Sequence, residues 1–222
     1  MTFILMKTTP LRQIILRPLI VLAVTLSTPL LANAQSWYQF DVVIFQPRSN
    51  ASPEERPDPL VVHDIPDDAV TLKKSGDPKE AFVELPERDS TLSSKMAALR
   101  KNYNILWHKS WRMPMTDGSK TSILIQGGRA LDGTYQIEGT LTFYMRRYLH
   151  VASDLWINTL KSQSPAELIL SGEAISVTDQ AMLPYSQNRH FEAEQRLLPN
   201  KVIYLDNPDA GVVIKVTPWK AS

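Results

Sequence analysis

The chain of 222 residues contains no cysteine. That absence excludes a disulfide framework, a thiolate metal site, a cysteine nucleophile and lipid attachment at a processed N-terminus, which needs a cysteine at the cut. The eight glycines build no phosphate-cradling loop, and there is neither a Gly-x-Ser-x-Gly elbow nor a His-Glu-x-x-His metal helix. The four histidines, His63, His108, His150 and His190, stand without ligand spacing, so no metal or other cofactor is expected. A glycosidase needs two carboxylates held across a cleft, and 23 acidic residues nominate no pair by themselves. Without these motifs the expectation is a protein that is not an enzyme. An excess of one charge is missing too, with 24 Lys plus Arg against 23 Asp plus Glu. Nucleic-acid binding, which draws on a basic domain, is therefore not expected. No internal repeat is visible.

What is present begins at the N-terminus. Lys7, Arg12 and Arg17 make a basic start without an acid, residues 19–31 are mostly apolar, and Ala32-Asn33-Ala34 offers small residues for cleavage. Thr25, Ser27 and Pro29 interrupt a run already shorter than the ~20 residues that span a bilayer. This pattern predicts a secretory signal peptide over residues 1–34 and a periplasmic, exported protein with no membrane anchor after cleavage. Removing those three basic residues from 24 leaves 21 against 23 acids, a net charge of −2. Residues 35–222 suffice for a single domain with its own core.

Along that domain, Trp37 to Phe45 crowds aromatic and β-branched residues into one run, which predicts a strand buried on both faces and stopped at Pro47. Between residues 48 and 88 prolines alternate with Asp, Glu and Lys, and a long irregular surface excursion is expected. It reads either as a partner arm or as a tolerated insertion. Asp89 and Ser90 can cap a helix that carries Leu92, Met96, Leu99 and Tyr103 at helical spacing. A strand follows, with Ile105, Trp107 and Trp111 expected on one face. Tryptophans four apart can stack on a sugar ring, but core anchoring is their commoner role.

The rest reads as an antiparallel meander. A short strand over residues 121–126 precedes turns at Gly127-Gly128 and Asp132-Gly133. In residues 135–146 Ile137, Leu141, Phe143 and Met145 alternate with polar positions. In the next strand Leu149, Val151, Leu155 and Ile157 share one face, while His150, Ala152, Asp154 and Trp156 share the other. Residues 166–177 suggest a further strand. Residues 191–198 and 201–206 flank a Pro199-Asn200 turn, and residues 212–216 close the sheet. The fold class expected is α+β, one domain dominated by an antiparallel sheet with one or more packed helices.

Two local signals are denser than a sheet needs. Arg146 to Val151 sets Tyr148 and His150 against Leu149 and Val151, giving a polar aromatic row. In Tyr204 to Gly211, Asp206 and Asn207 can cap a turn, Pro208 fixes φ, and Gly211 permits positive φ.

The strand Trp37-Tyr38-x-Phe40-x-Val42-x-Ile44-Phe45, then Trp107-His108-x-x-Trp111, then Arg147-Tyr148-Leu149-His150-Val151, and finally Tyr204-Leu205-Asp206-x-Pro208-x-x-Gly211 occur in the order seen in CsiV-type peptidoglycan-binding proteins, which this chain resembles over nearly its whole exported length. The resemblance implies a periplasmic, non-catalytic protein of Gram-negative cell-wall biogenesis and cell shape. It would bind peptidoglycan and act with a lipoprotein activator of a bifunctional penicillin-binding protein. Asn200, Lys201, Ile203 and Asn207 depart from the family pattern, standing where Gly, Glu, His and His are usual. Wall binding needs aromatic platforms for sugars and Arg donors for stem-peptide carboxylates. Arg147, Tyr148, His150 and Arg196, with Tyr204 near by, are the ligand-binding residues expected, with Asp206, Pro208 and Gly211 forming a structural turn. The competing reading is a periplasmic protein–protein interaction module that binds through residues 48–88 and a strand edge.

Overall fold

Strand β1 (Ser36–Pro47) turns Phe40, Val42 and Ile44 to one side and Asp41, Val43 and Phe45 to the other, and all six are buried. A strand covered on both faces needs a layer on each side, and this requirement organises the fold. The computed structural model describes residues 35–48, 64–160 and 185–220. The expected signal peptide over 1–34, residues 49–63 of the excursion and the suggested strand over 166–177 lie outside them.

Two four-stranded antiparallel sheets are present among the described residues. In the terminal sheet β1 sits between β2 (Tyr103–Met115) and β8 (Ala210–Trp219), with β7 (Val202–Asn207) outside β8. The meander sheet runs in chain order through β3 (Lys120–Leu131), β4 (Thr134–Met145), β5 (Leu149–Leu160) and β6 (Tyr185–Arg196). Phe40, Trp111 and Val212 of the first sheet join Ile123, Phe143, Val151 and Phe191 of the second in one hydrophobic core. At its centre Trp111 stacks on Phe40 at 5.6 Å and meets Phe143 edge-on at 5.7 Å. Trp107 and Trp111 are thus core anchors.

The opposite face of the terminal sheet is covered by α1 (Ser93–Asn102), where Leu92 and Met96 pack on Val43 and Phe45. The helix expected from Leu92, Met96, Leu99 and Tyr103 is therefore present, but Leu92 precedes it, Tyr103 opens β2, and its approach is held differently from the cap expected at Asp89-Ser90. Ser90 Oγ accepts from the Leu92 amide at 3.2 Å, whereas the Thr91 amide and hydroxyl donate to buried Asp41 at 3.2 and 2.7 Å. Among the described residues one ten-residue helix beside eight strands makes the architecture largely β, in two sheets. The α+β expectation is corrected accordingly. The meander is broken at Leu197–Lys201, where the chain leaves the second sheet after β6 and joins the first as β7, so those two strands flank a crossover and do not form a hairpin. Asn200 adopts φ 63° there and its amide donates to the Val216 carbonyl at 2.7 Å.

Three other expectations shift for local reasons. Gly127-Gly128 does not turn the chain, because β3 continues through a bulge to Leu131 and the hairpin turns at Asp132-Gly133, both at positive φ. Gly127 serves a close approach, since a Cβ there would stand 2.4 Å from the Leu106 carbonyl oxygen. Ile105 does not share a face with Trp107. A bulge opposite Ile44 and Phe45 lets both Leu106 and Trp107 enter the core and sends Ile105 to the helix side. The described second half of the excursion is bound to sheet edges: Val70 bridges β3, and Phe82 and Leu85 donate to the Arg112 and Ser110 carbonyls on β2. Charged, proline-rich sequence thereby covers two edges that would otherwise template aggregation.

His108 lies under this cover, with Glu87 3.9 Å away, and burial holds its imidazole below the ordinary 6.5 although Glu87 opposes the shift. The folded state therefore favours neutral His108, and that stabilisation is complete above pH 6.5 and lost as pH falls below it. The melting temperature of the wild type should drop more between pH 7.5 and pH 5.5 than that of His108→Gln. Parallel melting curves at the two pH values would contradict the assignment.

Candidate functional site

Strand alternation leaves half the side chains of the meander sheet pointing away from the core, and register brings them into rows. Tyr144, His150 and Arg196 are cross-strand neighbours on β4, β5 and β6, and Glu138, Trp156 and His190 form a matching row farther along. Between them lie Thr142, Ala152 and Glu194, then Thr140, Asp154 and Glu192.

The first row continues into the turn between β4 and β5. His150 stacks on Tyr144 with centroids 5.1 Å apart and planes 8° from parallel. Its Nδ1 donates to the Tyr148 carbonyl at 2.9 Å, which leaves Nε2 as the acceptor of the neutral ring. Tyr148 is 39% exposed, and the Arg196 guanidinium lies 3.3 Å from its ring centroid, with Arg147 at 5.4 Å. Arg146 sits 5.5 Å from the Tyr144 ring, and the Tyr144 hydroxyl donates to Glu194. Burial, then that hydrogen bond, pushes the Tyr144 phenol above its ordinary 10.0. Three arginines and two tyrosines thus meet at one end of the sheet.

Four of the five expected ligand residues, Arg147, Tyr148, His150 and Arg196, are brought together here. Tyr204 is not near them. It lies on β7 opposite Val213, on the outer face of the terminal sheet, so the sandwich separates it from the arginines. There Tyr204 packs parallel to Phe45 at 6.1 Å and donates to Asp206 at 2.8 Å. Burial and that bond push its phenol up to about 12. Phe45, Tyr103, Tyr204 and Pro208 line a small depression.

The expected turn is present as the two-residue connection of the β7–β8 hairpin, with its roles redistributed. Asn207 Oδ1 accepts from the Asp209 amide at 3.0 Å and so caps the turn, while Asp206 is engaged by Tyr204. Gly211 is not at positive φ. It is required because a Cβ would stand 2.6 Å from Phe45 and 2.7 Å from Tyr204, so both rings rest on its backbone. Among the departures from the family pattern, Asn207 makes this turn, Asn200 takes the left-handed crossover position, and Ile203 packs against the core.

Sequence reasoning missed Tyr144, Arg146 and Glu194 as members of the arginine end. Alternation placed Tyr144 on the wet face, yet its neighbours across the sheet are known only from register. No group of three or more His, Asp or Glu among the described residues is arranged to hold a metal ion, and no described helix is long and apolar enough to cross a membrane. Compared with known families, the chain matches over residues 15–219 the one described as peptidoglycan-binding protein, CsiV. No curated protein and no solved structure matches it.

Proposed function

Because the chain belongs to the CsiV family of peptidoglycan-binding proteins, we propose that it holds the wall polymer on the outer face of the meander sheet, through Arg147, Tyr148, His150 and Arg196. The observation that carries this reading is the stacking of Arg196 on exposed Tyr148 with Arg147 beside it. Stacking occupies the flat faces of a guanidinium and leaves its N–H edge for a carboxylate, which it can grip with two parallel hydrogen bonds. Stem peptides supply such carboxylates, and the aromatic row offers an apolar bed for what adjoins them. The family description supports a location in the cell envelope. The signal-like N-terminus supports export to the periplasm, where the protein acts without catalysis as a wall-binding accessory of peptidoglycan synthesis, together with a lipoprotein activator of a bifunctional penicillin-binding protein.

The test is co-sedimentation of the purified exported protein with isolated sacculi at two salt concentrations. Retention that weakens with salt is expected, since exposed ion pairs are screened. Arg147→Ala combined with Arg196→Ala should lower affinity by roughly tenfold or more, given about 1.5–3 kcal/mol for a hydrogen bond to a charged group. Unchanged retention of the double variant would remove these residues from the site. No retention of the wild type at either salt would favour the interaction-module reading.

A further inference from the structure

We infer that a depression beside the arginine end takes the free amino-acid end of a stem peptide, an ammonium and a carboxylate carried on one carbon. This rests on the reading that the meander face binds peptidoglycan, and adds which group of the polymer is selected. Lys120, Arg146 and Glu194 supply the charges of the depression, while Thr142, Met145 and Ala152 contribute uncharged lining. Tyr144 ties these charges together. Register sets Lys120 beside it on the neighbouring strand. The Arg146 guanidinium lies 5.5 Å from the Tyr144 ring centroid, and the hydroxyl at the tip of that ring donates to Glu194 Oε1. Arg146 and Glu194 are thereby held within about 11 Å of each other.

Although so close, these groups do not neutralise one another. Among the described residues neither Lys120 nor Arg146 forms an ion pair, and Glu194 Oε2 has no partner. Two unpaired cations and the open half of a carboxylate therefore face one depression from different sides of a tyrosine. Glu194 repels a simple anion and the cations repel a simple cation, whereas a zwitterion satisfies both signs at once. Its carboxylate meets Lys120 and Arg146, its ammonium meets Glu194, and the carbon chain behind them lies against Tyr144 and the Ala152 methyl group. On a diaminopimelate-type stem peptide, the free end of the diamino acid is such a zwitterion. Its amine is the one acylated when the peptide accepts a cross-link, and the resulting amide is neutral. A peptide so acylated leaves Glu194 without its cation, so the depression favours stem peptides whose amine is still free.

The probe is the disaccharide-tetrapeptide monomer released by a muramidase from diaminopimelate-type sacculi, in which the diamino acid carries the only free amine. It is titrated into the purified protein by calorimetry, unmodified and after N-acetylation, which removes that one charge. Acetylation is expected to weaken binding by roughly tenfold, as loss of a charge-assisted hydrogen bond requires. Glu194→Gln, which keeps an acceptor for Tyr144, should bind the two forms alike, whereas Lys120→Ala combined with Arg146→Ala should weaken both forms by a similar factor. Melting curves confirm that the variants fold. Equal affinity of the wild type for the two forms, a preference that survives Glu194→Gln, or a double variant equal to the wild type would overturn the inference. Sacculus pelleting run alongside separates the levels: a wild type that pellets but ignores acetylation loses only the zwitterion assignment, and one that does not pellet loses the wall-binding reading beneath it as well.

Discussion

Replacing Asp41 by alanine is expected to destabilise the protein by about 3–5 kcal/mol, a large part of the ~5–15 kcal/mol that holds a domain of this kind together. Asp41 is fully buried between the terminal sheet and its cover. Its carboxylate accepts from Ser110 Oγ at 2.6 Å, Thr91 Oγ1 at 2.7 Å and the Thr91 amide at 3.2 Å, with Gln39 Nε2 at the edge of hydrogen-bonding distance. Truncation leaves these donors facing a void in a place that water does not reach, and each buried donor without a partner costs about 1–3 kcal/mol. The two strong side-chain bonds also join elements far apart in sequence, β1 to β2 and β1 to the entry of α1. Losing them loosens the segment that covers the β2 edge. Asp41→Asn, which keeps an acceptor oxygen but points an amide at one donor, should cost less, about 1–2 kcal/mol. Urea unfolding followed by tryptophan fluorescence measures both. A loss below 1 kcal/mol for the alanine variant would show that Asp41 is not the anchor described.

Gly139→Ala should have an effect of similar size for a steric reason. Gly139 lies on β4 opposite Leu155 at φ +129°, where a side chain is strained, and a Cβ would stand 2.2 Å from the Asp154 carbonyl oxygen and 2.9 Å from Leu155 Cα. Those neighbours are backbone and cannot rotate aside. The strands must separate in the middle of the sheet. A loss of about 4 kcal/mol or failure to accumulate as folded protein is expected. Gly133→Ala is the matched control, at φ +82° but with nothing within 4 Å, and it should cost about 1 kcal/mol from backbone strain alone. Similar melting temperatures for the two variants would mean that conformation, and not the close approach of β4 and β5, makes glycine necessary at 139.

Both effects arise where the sequence looks unremarkable. Asp41 interrupts an apolar run and Gly139 interrupts an alternating one, and neither shows its partner. By contrast, positions whose environment is set by local periodicity were legible. Leu149, Val151, Leu155 and Ile157 are buried as alternation requires, and His150, Asp154 and Trp156 face outward. Val43 and Phe45 are covered as an unbroken apolar run predicts. At the proposed binding surface the same rule grouped Tyr148 with His150. Arg196, 46 residues later, stands beside His150 through the register of β5 with β6. Tyr204 shows the limit: its sequence context resembles that of the arginine strand, but β7 joins the other sheet and carries it to the opposite side of the sandwich.

The sequence by itself determined which residues face inward along β4 and β5, the position of the helix and the lack of cysteine chemistry. Each of these depends on composition or on a repeat of two to four residues, and so on interactions between near neighbours. Only the tertiary structure decided that the strands divide into two sheets, that the charged excursion covers their edges, and that Tyr144 and Arg196 stand beside His150. Such pairings join residues dozens of positions apart. They are chosen by which sheet buries the most apolar surface when it closes on the other, a quantity of the whole chain that no short segment contains.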